Sequence, residues 1–240
     1  SQGQRIQVQA IYEHPAHDSN TEEADLALLR LASASAQPAL GLIPRDDPQG
    51  LATPGTQGVT VGWGDTVQGS GLGSAILAQV MVPVLDSAVA NQADWYNGWV
   101  LPHMFAAGFA EGGRDACRGD SGGPYMVPDG SGGYVLAGVV SWGVGCAQPK
   151  RPGVYTRLSS FRGWIDGVMG TGTADGSSSG GTATPARVVP ALDWTGAAAL
   201  AGVLALSGLG RCGRNRNRPG RSATAADRVS PSPDRLGDAA

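Results

Sequence analysis

Charge, aromatic rings and lysine are all scarce in this chain of 240 residues: charged residues make up 15% and aromatics 6%. Among its 17 basic residues only Lys150 is a lysine, a bias that fits a GC-rich coding sequence and that no binding chemistry requires. A net charge of −3 offers no basic face for phosphates, so nucleic-acid binding drops out as a function class. Low charge together with 38 glycines and frequent Val, Thr and Ser speaks for short strands joined by tight turns, and against a helical bundle. Histidine and cysteine are also rare, at three each, which leaves few candidates for a catalytic base or for bridges.

The charge that exists is unevenly placed. Residues 1–170 carry 15 acids and 9 bases (net −6), and residues 171–240 carry 5 acids and 8 bases (net +3). The first segment is long enough for one domain with a proper core, and the second reads as an appendage. Within 1–170, β-type runs recur at Ile6–Ile11, Val59–Val61, Ala78–Val84, Tyr134–Ser141 and Gly153–Leu158. Between them lie turn-rich pieces such as Arg45–Gly50 and Pro128–Gly133. One helix is predicted at the end, capped by Ser159 or Ser160, with Phe161, Trp164, Ile165 and Val168 on a single face.

Beyond residue 170 the composition collapses. Residues 171–187 form a Gly/Ser/Thr linker with nothing to bury. Residues 188–221 hold Val188–Trp194, an uncharged Ala/Gly/Leu stretch and then Arg211, Arg214, Arg216, Arg218 and Arg221; residues 222–240 read as a disordered tail. An apolar run ending in arginines fits a membrane segment with a cytoplasmic end, although its roughly 17 residues sit at the short limit for spanning. This tail resembles bacterial C-terminal protein-sorting signals, which would be trimmed after export.

The densest chemistry lies at Asp115-Ala116-Cys117-Arg118-Gly119-Asp120-Ser121-Gly122-Gly123-Pro124. Its glycines let the backbone fold tightly around an exposed serine, and the amides of Gly119 and Ser121 are placed to converge on one point, as an acyl-transfer oxyanion requires. Alone, such a string reads as a Gly-rich surface turn. It does not stand alone. Gly119–Pro124, Asp25-Leu26-Ala27-Leu28-Leu29-Arg30-Leu31, Gly62-Trp63-Gly64, Ser141-Trp142-Gly143 with Gly145-Cys146, and Pro152-Gly153-Val154-Tyr155 follow one another in an order that resembles the trypsin/chymotrypsin family of serine proteases. Asp25 and Ser121 lie 96 residues apart, close to that family's roughly 93.

The resemblance implies a role for each matching residue. Ser121 would be the nucleophile, with the Gly119 and Ser121 amides holding the oxyanion at about 3–4 kcal/mol per donor. Asp25 would orient a histidine base and Ser141 would support Asp25. The Ser141–Trp142–Gly143 backbone would pair with substrate as an added strand. Asp115 would floor the primary pocket, with Gly143 and Gly153 keeping its walls open, so that cleavage follows Arg or Lys. Cys117 and Cys146 match positions that the family bridges, and their disulfide implies an exported, oxidising location. Gly58 and Ala106 stand where the family often has cysteines, and neither the region of Val127 nor Ser87–Gln92 supplies a partner. Cys212 is left over in the tail as a free thiol, with lipidation the alternative.

One part has no match. The family base lies roughly 45 residues before the aspartate, whereas only 24 residues precede Asp25, and His14, His17 and His103 all stand in the wrong context. The segment whose new ammonium would pair with Asp120 is likewise unmatched. The expectation is therefore an N-terminally truncated fragment without hydrolytic activity.

The resulting picture is an all-β, trypsin-like double β-barrel with an incomplete N-terminal barrel and a C-terminal helix, followed by linker and short apolar helix. Its expected function is that of a serine endopeptidase cleaving protein or peptide substrates after Arg or Lys, as a monomer, with no metal or cofactor and no nucleic acid. Its expected setting is secreted or cell-envelope associated, in a bacterium. The competing readings are a catalytically dead homologue used as a secreted or surface binding module, and a surface adhesin whose tail is the working part. Retention of Asp25, Asp115, Gly119 and Ser121 together weighs against the first, and no extended ligand surface supports the second.

Overall fold

Alternating apolar residues in short runs give strands, and the runs read from the sequence do so here. The computed structural model describes residues 3–170 and the backbone of 187–190. Strands β1 (Val8–Glu13) and β2 (Ala27–Leu31) pair antiparallel, and β10 (Arg187–Pro190) adds to the free edge of β1. That last strand straddles the boundary expected between linker and apolar segment; residues 171–186 and 191–240 lie outside the described residues.

The larger sheet runs β5 (Ala78–Pro83), β4 (Gln57–Gly62), β7 (Pro124–Pro128), β8 (Tyr134–Trp142), β9 (Gly153–Arg157), β6 (Met104–Ala107). A two-residue strand, β3 (Gly41–Leu42), lies parallel to β8 off this path. The two ends of the path meet. Leu85 N–H donates to Ala106 O at 2.9 Å and Gly108 N–H to Pro83 O at 3.0 Å, so the six strands close on themselves. Closure removes the exposed edges that an open sheet would present.

Three rings fill the barrel. Phe105 stacks on Tyr155 at 5.3 Å between centroids, and Tyr125 meets them at 5.1 and 4.7 Å. All three are fully buried. Tyr125 donates its hydroxyl to Val82 O at 2.8 Å, which keeps that polar tip satisfied inside an apolar core. Its ring also occupies the space over Gly58, where a cysteine of a bridging family member would stand. Ala90, from the short helix α1 (Ser87–Ala90), and Ala106 are both buried in a second apolar cluster with Tyr96, Met104 and Val154. The positions at which the resemblance implies cysteines in other members, Gly58 and Ala106, are thus filled by ordinary packing.

A Cβ at Gly58 would lie 2.2–2.4 Å from the Tyr125 ring. Gly58→Ala is expected to destabilise the domain by about 1–3 kcal/mol, because a pinned, buried ring cannot yield. Urea unfolding checks this, and a variant as stable as the parent would show that Tyr125 is free to move.

The C-terminal helix, α2 (Leu158–Met169), buries Phe161 and Ile165, with Trp164 packed against the same core. Its predicted cap is wrong. Arg157 is the N-cap, with no side-chain cap bond, and both serines sit inside the first turn. The reason is that β9 runs straight into the helix, so the serines arrive two and three residues too late to cap it. Arg162 ties the helix back, donating to Ile43 O at 2.9 Å and to Asp166 at 2.9 Å.

Candidate active site

Strand β8 gathers the site. Ser141, near its end, donates its hydroxyl to Asp25 Oδ2 at 2.7 Å, and Thr156 Oγ1 donates to Asp25 O at 2.7 Å. One residue earlier, Val140 exchanges backbone hydrogen bonds with the serine turn: Gly122 N to Val140 O and Val140 N to Gly123 O, each 2.9 Å. Two adjacent residues of one strand therefore anchor both Asp25 and the turn that carries the exposed Ser121. Asp25 and Ser121 are 96 apart in the chain, and β8 holds both Asp25 and the turn on which Ser121 stands.

The turn is shaped by what surrounds it. Arg118 O accepts from Asp65 N at 2.8 Å. A trans peptide points its N–H opposite to its carbonyl, so the Gly119 amide faces away from Asp65. Gly119 has φ +98°, open to glycine and strained for other residues, and a Cβ there would meet Gly64 Cα at 3.0 Å. The Asp120 carboxylate accepts from Gly64 N at 2.8 Å and Cys117 N at 2.9 Å, which locks the turn from behind.

Asp115 is half-buried between two backbone amides. Its two oxygens accept from Gly153 N at 3.1 Å and Ala147 N at 3.0 Å, one from each side. Burial pushes its pKa up to about 6 against the lowering effect of these amides, with the Asp120 charge adding to the rise. Gly153 is small by necessity, since a Cβ there would come within 2.6 Å of Asp115 Oδ1. A Cβ on Gly143 would reach to 3.9 Å from Gly153 Cα, so these two glycines face each other as neighbouring walls. Trp142 lies edge-on to Tyr96 at 4.9 Å. Cys117 and Cys146 are bridged. The bridge lines a cavity of about 270 Å³ together with Asp115, Asp120, Thr60 and Gly64.

Some participants carried no sequence signal. Gln68, on the loop after β4, accepts from Cys146 N at 3.1 Å and from Gln148 Nε2 at 3.1 Å, tying that loop to the segment beside Asp115. Asp65 holds the same loop by accepting from Gly71 N and Gly73 N at 2.9 Å each, bonds that also lower its pKa. An aspartate ahead of a Gly/Ser-rich stretch is the only local hint of this. The histidines differ in their placement. His14 packs edge-on to Phe161 and Trp164, each at 4.9 Å, and burial lowers its pKa. His103 lies 3.4 Å from Glu23, and His17 approaches Asp25 Oδ1 no closer than 3.9 Å.

The Trypsin family model matches residues 1–165. Trypsin-3 of Salmo salar is 40% identical over 157 residues, covering 65% of this chain and 62% of that protein. Transmembrane protease serine 11E of Mus musculus is 40% identical over 162 residues, covering 67% of this chain and 37% of that protein. Transmembrane protease serine 5 of Homo sapiens is 37% identical over 159 residues, covering 66% of this chain and 35% of that protein. The chain thus spans between about a third and three fifths of the length of these relatives.

These matches correct one expectation. The bacterial secreted or cell-envelope setting does not hold, because the relatives are animal proteins and point to a eukaryotic origin. The tail's likeness to a sorting signal was one of composition, an Ala/Gly run followed by arginines, and residues 191–221 that carry most of it lie outside the described residues. Among the described residues no helix is long and apolar enough to cross a membrane. Sequence match and closed barrel with its terminal helix agree: the chain belongs to the trypsin family of serine proteases.

Proposed function

We propose that the domain serves a serine endopeptidase that cleaves peptide bonds after Arg or Lys through an acyl-enzyme intermediate. The seat of Asp115 carries this reading: a half-buried carboxylate held between the amides of Ala147 and Gly153, next to the facing Gly143 and Gly153, suits a guanidinium or ammonium group. Ser121 attacks the scissile carbonyl, and the Gly119 and Ser121 amides receive the oxyanion. The Ser141–Gly143 backbone lays the substrate beside it as an added strand. Asp25, held through Oδ2 by Ser141, keeps Oδ1 for an imidazole.

None of His14, His17 and His103 makes a hydrogen bond to Oδ1 among the described residues, so the 240-residue chain by itself is expected to hydrolyse nothing. The acidic cavity that the bridge lines suits a terminal ammonium pairing with Asp120, which would order the surroundings of Asp115.

The test is to follow the reading frame upstream of Ser1 and to assay any longer protein it encodes on Arg, Lys and Phe esters. Arg and Lys esters are expected to be preferred over Phe on the order of 100-fold, as for a desolvated charge pair. Equal rates would overturn Asp115 as the pocket floor. A longer frame lacking a histidine roughly 45 residues before Asp25, and inactive on all three, would leave a catalytically dead binding module instead.

A further inference from the structure

The loop between β1 and β2 brings three potential ligands to one point beside the site. His17 Nε2 lies 3.8 Å from Glu22 Oε2 and 3.9 Å from Asp25 Oδ1, and the three donor atoms all fall within 4.8 Å of one another. His17 Nε2 and Glu22 Oε2 are shut off from solvent, yet neither has a hydrogen-bond partner among the described residues. Contacts of 3.8–3.9 Å are too long for hydrogen bonds, so a proton on Nε2 leaves both atoms unsatisfied.

We propose that His17, Glu22 and Asp25 form a binding site for a divalent transition-metal cation of the Zn²⁺ type, and that occupancy of this site blocks the catalytic aspartate. Bonds of about 2.0–2.2 Å from a tetrahedral ion to nitrogen and oxygen put ligand atoms about 3.3–3.6 Å apart. The two His17 separations are a few tenths of an ångström wider than that, a gap that small side-chain rotations close. An imidazole with two carboxylates suits Zn²⁺ and its neighbours, whereas Ca²⁺ and Mg²⁺ demand oxygen alone.

The surroundings favour this use of Asp25. Its Oδ2 is committed to Ser141 at 2.7 Å, which orients the carboxylate as an outer hydrogen bond does for a metal ligand, and Oδ1 is left to face His17. Glu22 is turned inward by a backbone that takes left-handed values at Glu22 (φ 55°) and Ala24 (φ 53°). The loop is closed by an Asp18–Glu23 bridge and by His14 N–H donating to Leu26 O at 2.9 Å, so the ligands are pre-placed. Binding two carboxylates and an imidazole, the ion keeps a fourth position for water. It would also occupy the oxygen that the proposed function reserves for the base; only this inhibitory part rests on that reading.

Binding is tested on the 240-residue chain by Zn²⁺ calorimetry and by the visible absorption of added Co²⁺. One equivalent is expected, with affinity weakened at least tenfold in His17→Ala and in Glu22→Gln. Glu22→Gln is nearly isosteric and keeps the test decisive should His17→Ala fail to fold. Cys212→Ser and His103→Ala are expected to bind as the parent does. Unchanged affinity in both loop variants, loss of binding in Cys212→Ser or His103→Ala, or no binding below millimolar Zn²⁺ would each overturn the site.

Inhibition is read in the longer frame, where Zn²⁺ is expected to suppress ester hydrolysis by the parent and at least tenfold less by Glu22→Gln, each measured against its own metal-free rate. Zn²⁺ binding without any hydrolysis would refute the proposed function and leave the site standing. Hydrolysis that Zn²⁺ does not suppress, despite binding, would overturn the inhibitory role.

Discussion

Phe105→Ala is expected to lower the unfolding free energy by about 3–5 kcal/mol, a large fraction of a typical domain's 5–15 kcal/mol. The ring is wholly buried and stacked on Tyr155 at 5.3 Å and 11°, with Tyr125 edge-on at 5.1 Å. Deleting it removes the apolar area and leaves a cavity. Whether the cavity collapses decides where in the range the cost falls. Collapse is hindered, because Tyr125 is tethered to Val82 O and the opposite side is backbone: a Cβ on Gly138 would touch the Phe105 ring at 2.6 Å. The upper half of the range follows. At a slope of about 2 kcal/mol per molar urea, the midpoint should fall by about 2 M with the slope unchanged. A shift below about 0.5 M would mean that the three-ring cluster is not the centre of the barrel's stability.

The residues that make this core differ in how plainly the sequence shows them. Val59–Val61, Ala78–Val84, Tyr134–Ser141 and Gly153–Leu158 alternate or run apolar between turn residues, and each overlaps an observed strand. Strand β6 was not legible. Met104-Phe105-Ala106-Ala107 is buried at all four positions, so it lacks the alternation that marks a half-exposed strand, and it is too short to stand out as a continuous run. Strand β7 was hidden for another reason: it begins inside the serine motif, whose glycines read as a turn. The helix α2 was legible through its apolar face and not through its cap, because a strand that flows into a helix needs no side-chain cap to start it.

Within the site, legibility followed sequence locality. Gly119–Pro124 and Asp25–Leu31 are contiguous strings, and the order of the strings carried the resemblance. The Ser141–Asp25 hydrogen bond was implied only through that resemblance, since 116 residues separate the pair. Gln68 was invisible. Its bond to Cys146 N spans 78 residues, and a glutamine in a Gly/Ser-rich loop has no pattern that marks it as a tether. The approach of His17 to Glu22 and Asp25 was hidden for a third reason, because it depends on left-handed backbone at Glu22 and Ala24 that neither residue type favours.

Asp115 gives the second large effect, and it depends on pH. Its pKa is raised to about 6, chiefly by burial. An aspartate raised in the folded state disfavours its own ionised form there. Between the unfolded value of about 3.9 and about 6, folding therefore takes up a proton, and the stability contribution falls as pH rises through that window. Above it the penalty levels off at about 3 kcal/mol. A cation beside Asp115 reverses the preference, because it interacts with the carboxylate and not with the acid. Benzamidinium should thus bind about tenfold more weakly at pH 5 than at pH 7, with little change above pH 7. At pH 6 binding should release about half a proton, read from calorimetry in buffers of different ionisation enthalpy. Asp115→Asn keeps the shape and removes the charge, so its affinity should fall on the order of 100-fold and its pH profile should be flat. The amide also turns an N–H₂ toward one of the two backbone donors that now face the carboxylate, at Ala147 or Gly153, so part of the 3 kcal/mol relieved by removing the buried charge is lost again. An Asn variant that keeps both the affinity and the pH dependence would place the cation's partner elsewhere, with Asp120 across the bridge as the next carboxylate to replace.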